Sequence, residues 1–389
     1  MVQGTEKLKI AVVIPRYGLV GGAEGFASQL CESLAEDGRF EIHVIANKWK
    51  ETTSPIAFRK VPIVPFPRFF RPLSFALFVQ KRLREEDYDV VHSHERIFQT
   101  DLLTIHGFPH MTWVKEARRK RPSLFDISTA WIEKKGIEGG ETRPILLPVS
   151  TLVKEEYLKL YNIPESNIHV VHPGVSLDRF KGLERAWCRQ DICQKHRLSE
   201  DSLLVLFVGM NFEIKGLDLV LKAAAELKGR EERSKALKVL VVGKGNIRKY
   251  KAMANSLGME DHVIFAGVTS QVEKYYMGSD IFILPSRYDA FPLVTLEAMA
   301  AGLPVIISEH VGSKDVIENG TNGFVVGPDP SVQELSRFLS HLLDRDLRMQ
   351  MGQKAAMRAC NFTWERTAEV MADFYFKFQR AGTTKGHLG

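Results

Sequence analysis

Three stretches of this chain concentrate side chains able to do chemistry. The first is R-Y-G-L-V-G-G-A-E, residues 16–24, where Gly21 and Gly22 stand between an apolar run and a helix-forming one. Paired glycines let backbone N–H groups approach a bound group without a Cβ in the way. The helix start beyond them adds unpaired N–H groups and a positive dipole end, which suits a diphosphate. The pattern is not G-x-G-x-x-G, so the dinucleotide reading is weak, and glycines that merely shape a turn fit equally well. The second stretch, V-G-M-N-F-E-I-K-G (208–216), sets Lys215 beside Gly216 just ahead of a helix. A cation there can balance charge growing on a departing phosphate; a solvated loop lysine is the alternative. The third, P-S-R-Y-D-A-F-P-L-V-T-L-E-A-M-A-A-G-L-P-V-I (285–306), carries Asp289 and Glu297. Pro292 favours a helix start, which puts Asp289 in the loop and Glu297 about one and a half turns into the helix. Two carboxylates from one loop–helix unit can accept paired hydrogen bonds from vicinal sugar hydroxyls. A capping acid plus a buried helix glutamate is the competing reading.

These loops need rigid elements to hold them. Short apolar runs such as K-I-A-V-V-I-P, E-I-H-V-I-A, D-V-V-H-S-H, R-P-I-L-L-P-V-S and N-I-H-V-V-H-P-G-V alternate with helical stretches such as 23–37 and 151–161. Such runs suit parallel strands buried on both faces, and the alternation is the βαβ rhythm of a doubly wound sheet. The rhythm restarts at Ser202 with L-L-V-L-F-V-G and continues through L-K-V-L-V-V-G, H-V-I-F-A-G, D-I-F-I-L-P-S and L-P-V-I-I-S. The Pro- and Gly-punctuated segment H-P-G-V-S-L-D-R-F (172–180) reads as the junction. The expectation is two α/β domains, 1–182 and 183–362. A last helix over 363–380, with Val370, Phe374 and Phe378 on its apolar face, should pack back onto a domain, and 381–389 should be a disordered tail.

Composition narrows the class. The chain has 389 residues, 44% hydrophobic and 26% charged, enough for two cores. No apolar run is long enough to span a bilayer, and the N-terminus lacks the pattern of a secretory signal, so a cytoplasmic protein is expected. Cys31, Cys188, Cys193 and Cys360 show no C-x-x-C or metal-ligand spacing and read as reduced thiols. A net charge of +6 fits anionic partners, phosphates or a lipid surface, without any nucleic-acid signature. No D-x-D in a strand-end loop and no His/Cys grouping suggests a metal.

Taken together and in order, G-G-A-E, H-P-G-V-S-L-D-R-F, F-E-I-K-G and E-A-M-A-A-G-L-P-V-I, with the acid pair spaced as in E-x7-E, resemble family 4 of the retaining glycosyltransferases across nearly the whole chain. Within that family the likeness is nearest to the lipopolysaccharide-core glucosyltransferase I group, on stretches such as G-K-G-N-I-R-K-Y-K-A-M-A-N-S-L-G (243–258). The resemblance implies an α/β GT-B fold, two Rossmann-like domains facing across a cleft, with an N-terminal acceptor domain and a C-terminal nucleotide-sugar domain. It implies that Gly21 and Gly22 meet the donor diphosphate, that Lys215 contacts the phosphates, that Glu297 binds the ribose, and that Asp289 holds hydroxyls of the transferred sugar. Val268 would lie near the base. Phe291, Pro292 and Leu293 would line the donor site. His106, in T-I-H-G, would stand near the donor sugar, and Asp101 would face the acceptor.

Three departures accompany the match. Asp289 is one methylene shorter than the usual glutamate. Met210 or Ile214 stands where members often place a phosphate-clamp arginine, which makes Arg16 a candidate substitute. Gly107 follows His106 where many members have aspartate. The resemblance implies a metal-independent, retaining transfer of a hexose from a nucleotide diphosphate sugar, UDP-linked by family frequency, to a glycan or lipid-linked acceptor of cell-surface polysaccharide. The leaving phosphate would deprotonate the acceptor in a front-face displacement. Residues 66–84 and 114–122 mix basic with aromatic and aliphatic side chains. They suit either peripheral contact with an anionic membrane, on the inner face of the cytoplasmic membrane, or a core helix with snorkelling basic residues. Another nucleotide-sugar enzyme on the same fold, and a catalytically silent sugar-binding scaffold, are the remaining readings.

Overall fold

The computed structural model describes residues 7–19, 21–139, 143–231 and 236–385. The chain divides into two units, Met1–Gly174 with Trp364–Gly389, and Val175–Thr363. The sequence reading puts the break nearer 182. The structure joins 175–182 to the second unit because Val175 N–H donates to Phe362 O (2.9 Å) and Arg179 in the following turn is bonded to Glu273 and Glu297 on helices of that unit.

In the first unit the strands are β1 (Leu8–Val13), β2 (Phe40–Ala46), β3 (Ile56–Lys60), β4 (Val90–Ser93), β5 (Leu102–Ile105) and β6 (Ile145–Pro148). They form one sheet in the order β3-β2-β1-β4-β5-β6, and every pairing is parallel. Ile10, Ala11, Val12 and Val13 of β1 are all 0% exposed, which is what a central strand covered on both faces requires. Helices α1 (Gly22–Glu36), α2 (Phe70–Leu83), α3 (Leu124–Glu138) and α4 (Thr151–Leu160) make crossovers or follow strands. The run N-I-H-V-V-H-P-G-V is not a regular strand. It makes one bridge, Ile168 to Leu146, and two backbone bonds to β6. Its neighbour β6 is only four residues long, and Pro173–Gly174 end the run. Edge strand β3, half-buried along most of its length, has too little apolar pattern to be read from sequence.

The second unit repeats the architecture. It contains α5 (Arg185–His196), then β7 (Leu203–Met210), α6 (Leu217–Arg230), β8 (Leu237–Lys244), α7 (Ile247–Ser256) and β9 (Val263–Gly267). After these come α8 (Val272–Gly278), β10 (Ile281–Leu284), α9 (Leu293–Ala300), β11 (Val305–Ser308), β12 (Gly323–Val326), α10 (Val332–His341) and α11 (Arg345–Ala359). Its sheet order is β9-β8-β7-β10-β11-β12, again all parallel. In both sheets the winding reverses beside the first strand, between β1 and β4 and between β7 and β10. Open α/β sheets offer a crevice at the carboxyl ends of such strands, because the two loops there leave in opposite directions.

The last helix, α12 (Trp364–Lys385), returns to the first unit and packs on α1. Its buried side chains are Trp364, Thr367, Ala368, Met371, Ala372 and Tyr375; of the expected face, Phe374 and Phe378 are half-buried and Val370 is 44% exposed. The helix runs on to Lys385 where the sequence suggests a tail from Ala381; residues 386–389 lie outside the described residues. All four cysteines are free.

Candidate functional site

The switch point of the second sheet is built by two loops, 211–216 after β7 and 285–292 after β10. Gly216 adopts φ +76°, and a Cβ on it would lie 2.2 Å from Pro285 O, so the two loops touch backbone to backbone there. Arg287 N–H donates to Ile214 O (2.8 Å), and its guanidinium grips both carboxylate oxygens of Asp218 (3.1 and 2.8 Å). The backbone of Asp289 is held by His310 O (3.0 Å) and by the N–H of Gly312 (2.9 Å). This stitching brings Lys215 Nζ onto the Asp289 carboxylate as a partly buried ion pair. Beside the pair, α6 and α9 both begin without a side-chain cap, so their first N–H groups and dipoles face the loop ends.

Glu297 lies on α9 and is 14% exposed at its side chain. Its Oε1 accepts from Arg179 Nη1 (2.5 Å) and its Oε2 from Tyr276 Oη (2.8 Å). Arg179 also donates through Nε to Glu273 Oε1 (2.7 Å), so one guanidinium spans two carboxylates. Burial, with the Glu297 charge added, pushes the Tyr276 phenol far above its ordinary value and keeps it a donor. Arg179 and Tyr276 escape the sequence reading: the first sits in the segment taken as junction punctuation, and no spacing rule ties 179 or 276 to 297. Phe291 and Pro292 are buried and Leu293 is half-buried at the start of α9, while Val268, 69% exposed, follows β9 two strands out from β7.

In the first unit the corresponding edge carries Gly21, His94 and His106, after β1, β4 and β5. Gly21 is the N-cap of α1, again without a side-chain cap, and a Cβ on Gly22 would meet nothing within 4 Å. Arg16 is exposed and paired to Glu24 (2.5 Å). His94 Nδ1 and His106 Nε2 are 2.9 Å apart with their rings stacked. His92 lies beneath, bonded to Tyr375 Oη (2.8 Å) and Thr104 Oγ1 (2.7 Å). Burial drives His92 and His106 down to about 3, and His94 well below its ordinary value. Asp101 is not part of this group. It precedes β5 and therefore lies at the opposite edge of the sheet, where its carboxylate accepts Val91 N–H (2.8 Å) and pins β4 to β5. Burial raises its pKa. Next to the histidines, the buried Glu133 carboxylate is caged by Arg96, Tyr157, Tyr161 and the His110 N–H.

Helix α2, within residues 66–84, has a buried face and an exposed one. Its Ser74, Phe75, Ala76 and Val79 enter the core, while Leu77 and Phe78 on the other face stay exposed. Phe66, Phe69, Leu124, Ile127 and Trp131 of the preceding loop and the neighbouring α3 are exposed as well. Arg68, Arg71, Lys115, Arg118, Arg119, Lys120 and Arg121 are exposed in the same segments. Among the described residues no helix is long and apolar enough to cross a membrane, and no cluster of three or more His, Cys, Asp or Glu is arranged to hold a metal ion.

Comparison with known proteins adds an independent line. Residues 189–358 match the family described as Glycosyl transferases group 1, and residues 20–179 match Glycosyltransferase Family 4. The D-inositol 3-phosphate glycosyltransferase of Streptomyces scabiei is 30% identical over 335 residues, covering 79% of this chain and 72% of that protein. Among solved structures, WaaG, a glycosyltransferase involved in lipopolysaccharide biosynthesis, superposes with a TM-score of 0.78 at 23% identity, over 94% of this chain and 99% of that one. Anabaena HepE in complex with UDP and glucose gives 0.73 at 15% identity, over 94% and 99%. At those identities the two structures speak to fold.

Proposed function

The chain belongs to the group 1 glycosyltransferases and has the GT-B fold of two Rossmann-like domains; from that premise we propose that it transfers a hexose from a UDP-linked donor to a glycan or lipid-linked acceptor, with retention and without a metal ion. The observation that carries this reading is the Lys215–Asp289 ion pair at the switch point of the second sheet, beside two uncapped helix starts, with Glu297 on the helix that follows Asp289.

Each group has chemistry that suits a nucleotide sugar. Lys215 and the first N–H groups of α6 neutralise the diphosphate as it leaves, the work a metal does in other enzymes. Asp289, held on its backbone from both sides, accepts from hexose hydroxyls. Glu297 has lone pairs left over after bonding Arg179 and Tyr276, and these accept from the ribose. The short reach of Asp289 is offset by its position against Lys215, which draws sugar and phosphate sites together. The N-terminal end of α9, at Phe291–Leu293, and the exposed Val268 complete the donor-side assignment. In the first domain, the backbone at Gly21 and Gly22, with Arg16 near, suits an anionic oxygen, and His106 suits a sugar hydroxyl. The leaving phosphate takes the acceptor proton on the face it departs from, so no enzyme nucleophile is needed. HepE was crystallised with UDP and glucose, which supports the choice of nucleotide. The role of WaaG supports an acceptor in lipopolysaccharide or related surface glycan. The exposed apolar side chains of α2 and α3, flanked by arginines and lysines, suit contact with an anionic lipid surface where such an acceptor is anchored.

Incubation with a panel of nucleotide sugars, following nucleotide release and product configuration by NMR, tests the whole reading. One UDP-hexose should be consumed at a rate unchanged by EDTA, and its anomeric configuration should persist in the product. An inverted product overturns the retaining assignment, and EDTA inhibition reversed by magnesium overturns the metal-free one.

A further inference from the structure

We propose that His94 is a positioning residue that holds His106 as its Nδ1–H tautomer, so that His106 offers a substrate oxygen a donor rather than an acceptor. The inference rests on the reading that His106 meets the substrate, and concerns a residue to which that reading gives no part.

A single proton lies between His94 Nδ1 and His106 Nε2, 2.9 Å apart. Burial keeps both imidazoles neutral, so each ring carries one proton. Two arrangements are then available. In the first, His106 donates from Nε2, and the proton of His94 must sit on its own Nε2. That atom is buried and has no hydrogen-bond partner among the described residues, so an N–H would be orphaned. In the second, His94 donates from Nδ1, and what remains unpartnered on Nε2 is a lone pair. Orphaned buried N–H groups are rarer than under-satisfied acceptors, so the second arrangement is favoured.

The surroundings leave His94 no other outlet. Its neighbour His92 has both nitrogens engaged, by Tyr375 and Thr104. Phe26 packs against both His94 and His106, with ring centroids at 5.7 and 4.9 Å, and the backbone N–H of His94 is tied to Val13 O (2.9 Å). With Nε2 of His106 serving as acceptor, the only proton of that ring is on Nδ1. Nδ1 is not among the buried unpartnered atoms of the described residues, and His106 is half-buried at the carboxyl edge of β5. The outward nitrogen is therefore a fixed donor, matched to a hydroxyl or ring oxygen of a sugar.

The test is a long-range 1H–15N correlation spectrum of the full chain with 15N-labelled histidine near pH 7.5, without ligand. The expected result is a protonated Nδ1 and an unprotonated Nε2 for both His94 and His106. A proton on Nε2 of His106 overturns the proposal outright, whatever the variants do. His94→Phe keeps a ring in the packing but removes the donor, and His106 should then populate both tautomers. The competent fraction falls, and the apparent KM for the nucleotide sugar should rise about two- to fivefold. His94→Asn, whose amide N–H can stand near the lost Nδ1–H, should restore the tautomer and the KM; an unchanged His106 tautomer in folded His94→Phe also counts against the idea. The underlying reading is judged separately by His106→Phe. Wild-type kinetics there would remove His106 from the substrate without touching the tautomer result.

Discussion

Arg179 provides the sharpest test of the donor site, because it touches Glu297 and is placed to organise it. Arg179→Met removes the bond to Glu297 Oε1 and the bond to Glu273, and leaves two carboxylates without the cation that joins them. A charge-assisted bond is worth about 1.5–3 kcal/mol when fully sheltered. The Arg179 side chain is 41% exposed against 14% for Glu297, so solvent screening brings the contribution to roughly 1 kcal/mol. If Glu297 grips the ribose, that loss is felt equally before and during reaction, since the ribose is remote from the bond being broken. KM for the donor should therefore rise about fivefold, with kcat within twofold of wild type. UDP affinity by calorimetry should fall by the same factor. Arg179→Lys should recover only part, because a point ammonium cannot span two carboxylates as a planar fork does. Tyr276→Phe should act in the same direction, and the double variant should be non-additive because both residues hold one carboxylate. Unchanged UDP affinity in folded Arg179→Met, or a fall in kcat at constant KM, refutes the assignment of Glu297 to the ribose.

Other substitutions separate the remaining roles. Lys215→Ala should lower kcat at least tenfold, about 1.4 kcal/mol of transition-state stabilisation, with the fold intact by circular dichroism; a wild-type kcat removes Lys215 from the leaving group. Gly216→Ala must place an alanine at φ +76° with its Cβ 2.2 Å from Pro285 O; a loss of at least ~2 kcal/mol is expected from backbone strain and clash together, read as a lower melting temperature, and a neutral change would mean the two loops are not in contact. Burial pushes His92 down to about 3 from the ordinary imidazole value of 6.5, so between those pH values the unfolded chain binds the extra proton. Stability is then full above about pH 6.5 and declines as pH falls towards 3, by up to ~1.4 kcal/mol per pH unit for this group. Denaturant titrations from pH 4 to 7 should show a shallower decline for His92→Phe, and equal slopes would contradict a buried neutral His92. Binding to vesicles should require anionic lipid and weaken with salt, and replacing Leu77 and Phe78 by serine should reduce it; equal binding to neutral vesicles removes the electrostatic part.

Much of the molecule is legible in the amino-acid order because its signals are local. A parallel strand covered on both faces is apolar along most of its length, so β1, β2, β7 and β8 announce themselves. Lys215 and Asp289 can each be placed in a loop between strand and helix because strand, loop and helix start are contiguous in sequence. Where a signal is weak or shared, the reading drifts. Edge strand β3 is too short an apolar run to stand out, Ile168 to Val171 look like a strand but find only a short partner, and α12 leaves Val370 exposed.

What the order of residues determined by itself is the pair of doubly wound sheets and the loops that leave their carboxyl edges, since periodicity and glycine placement act over a few residues. Tertiary structure alone decided which side chains share a hydrogen bond: Arg179 and Tyr276 on Glu297, His94 on His106, and Asp101 on the far edge of its sheet. Those contacts join residues far apart in the chain or at the same end of neighbouring strands. Their geometry depends on crossover paths and side-chain packing, which no local pattern encodes.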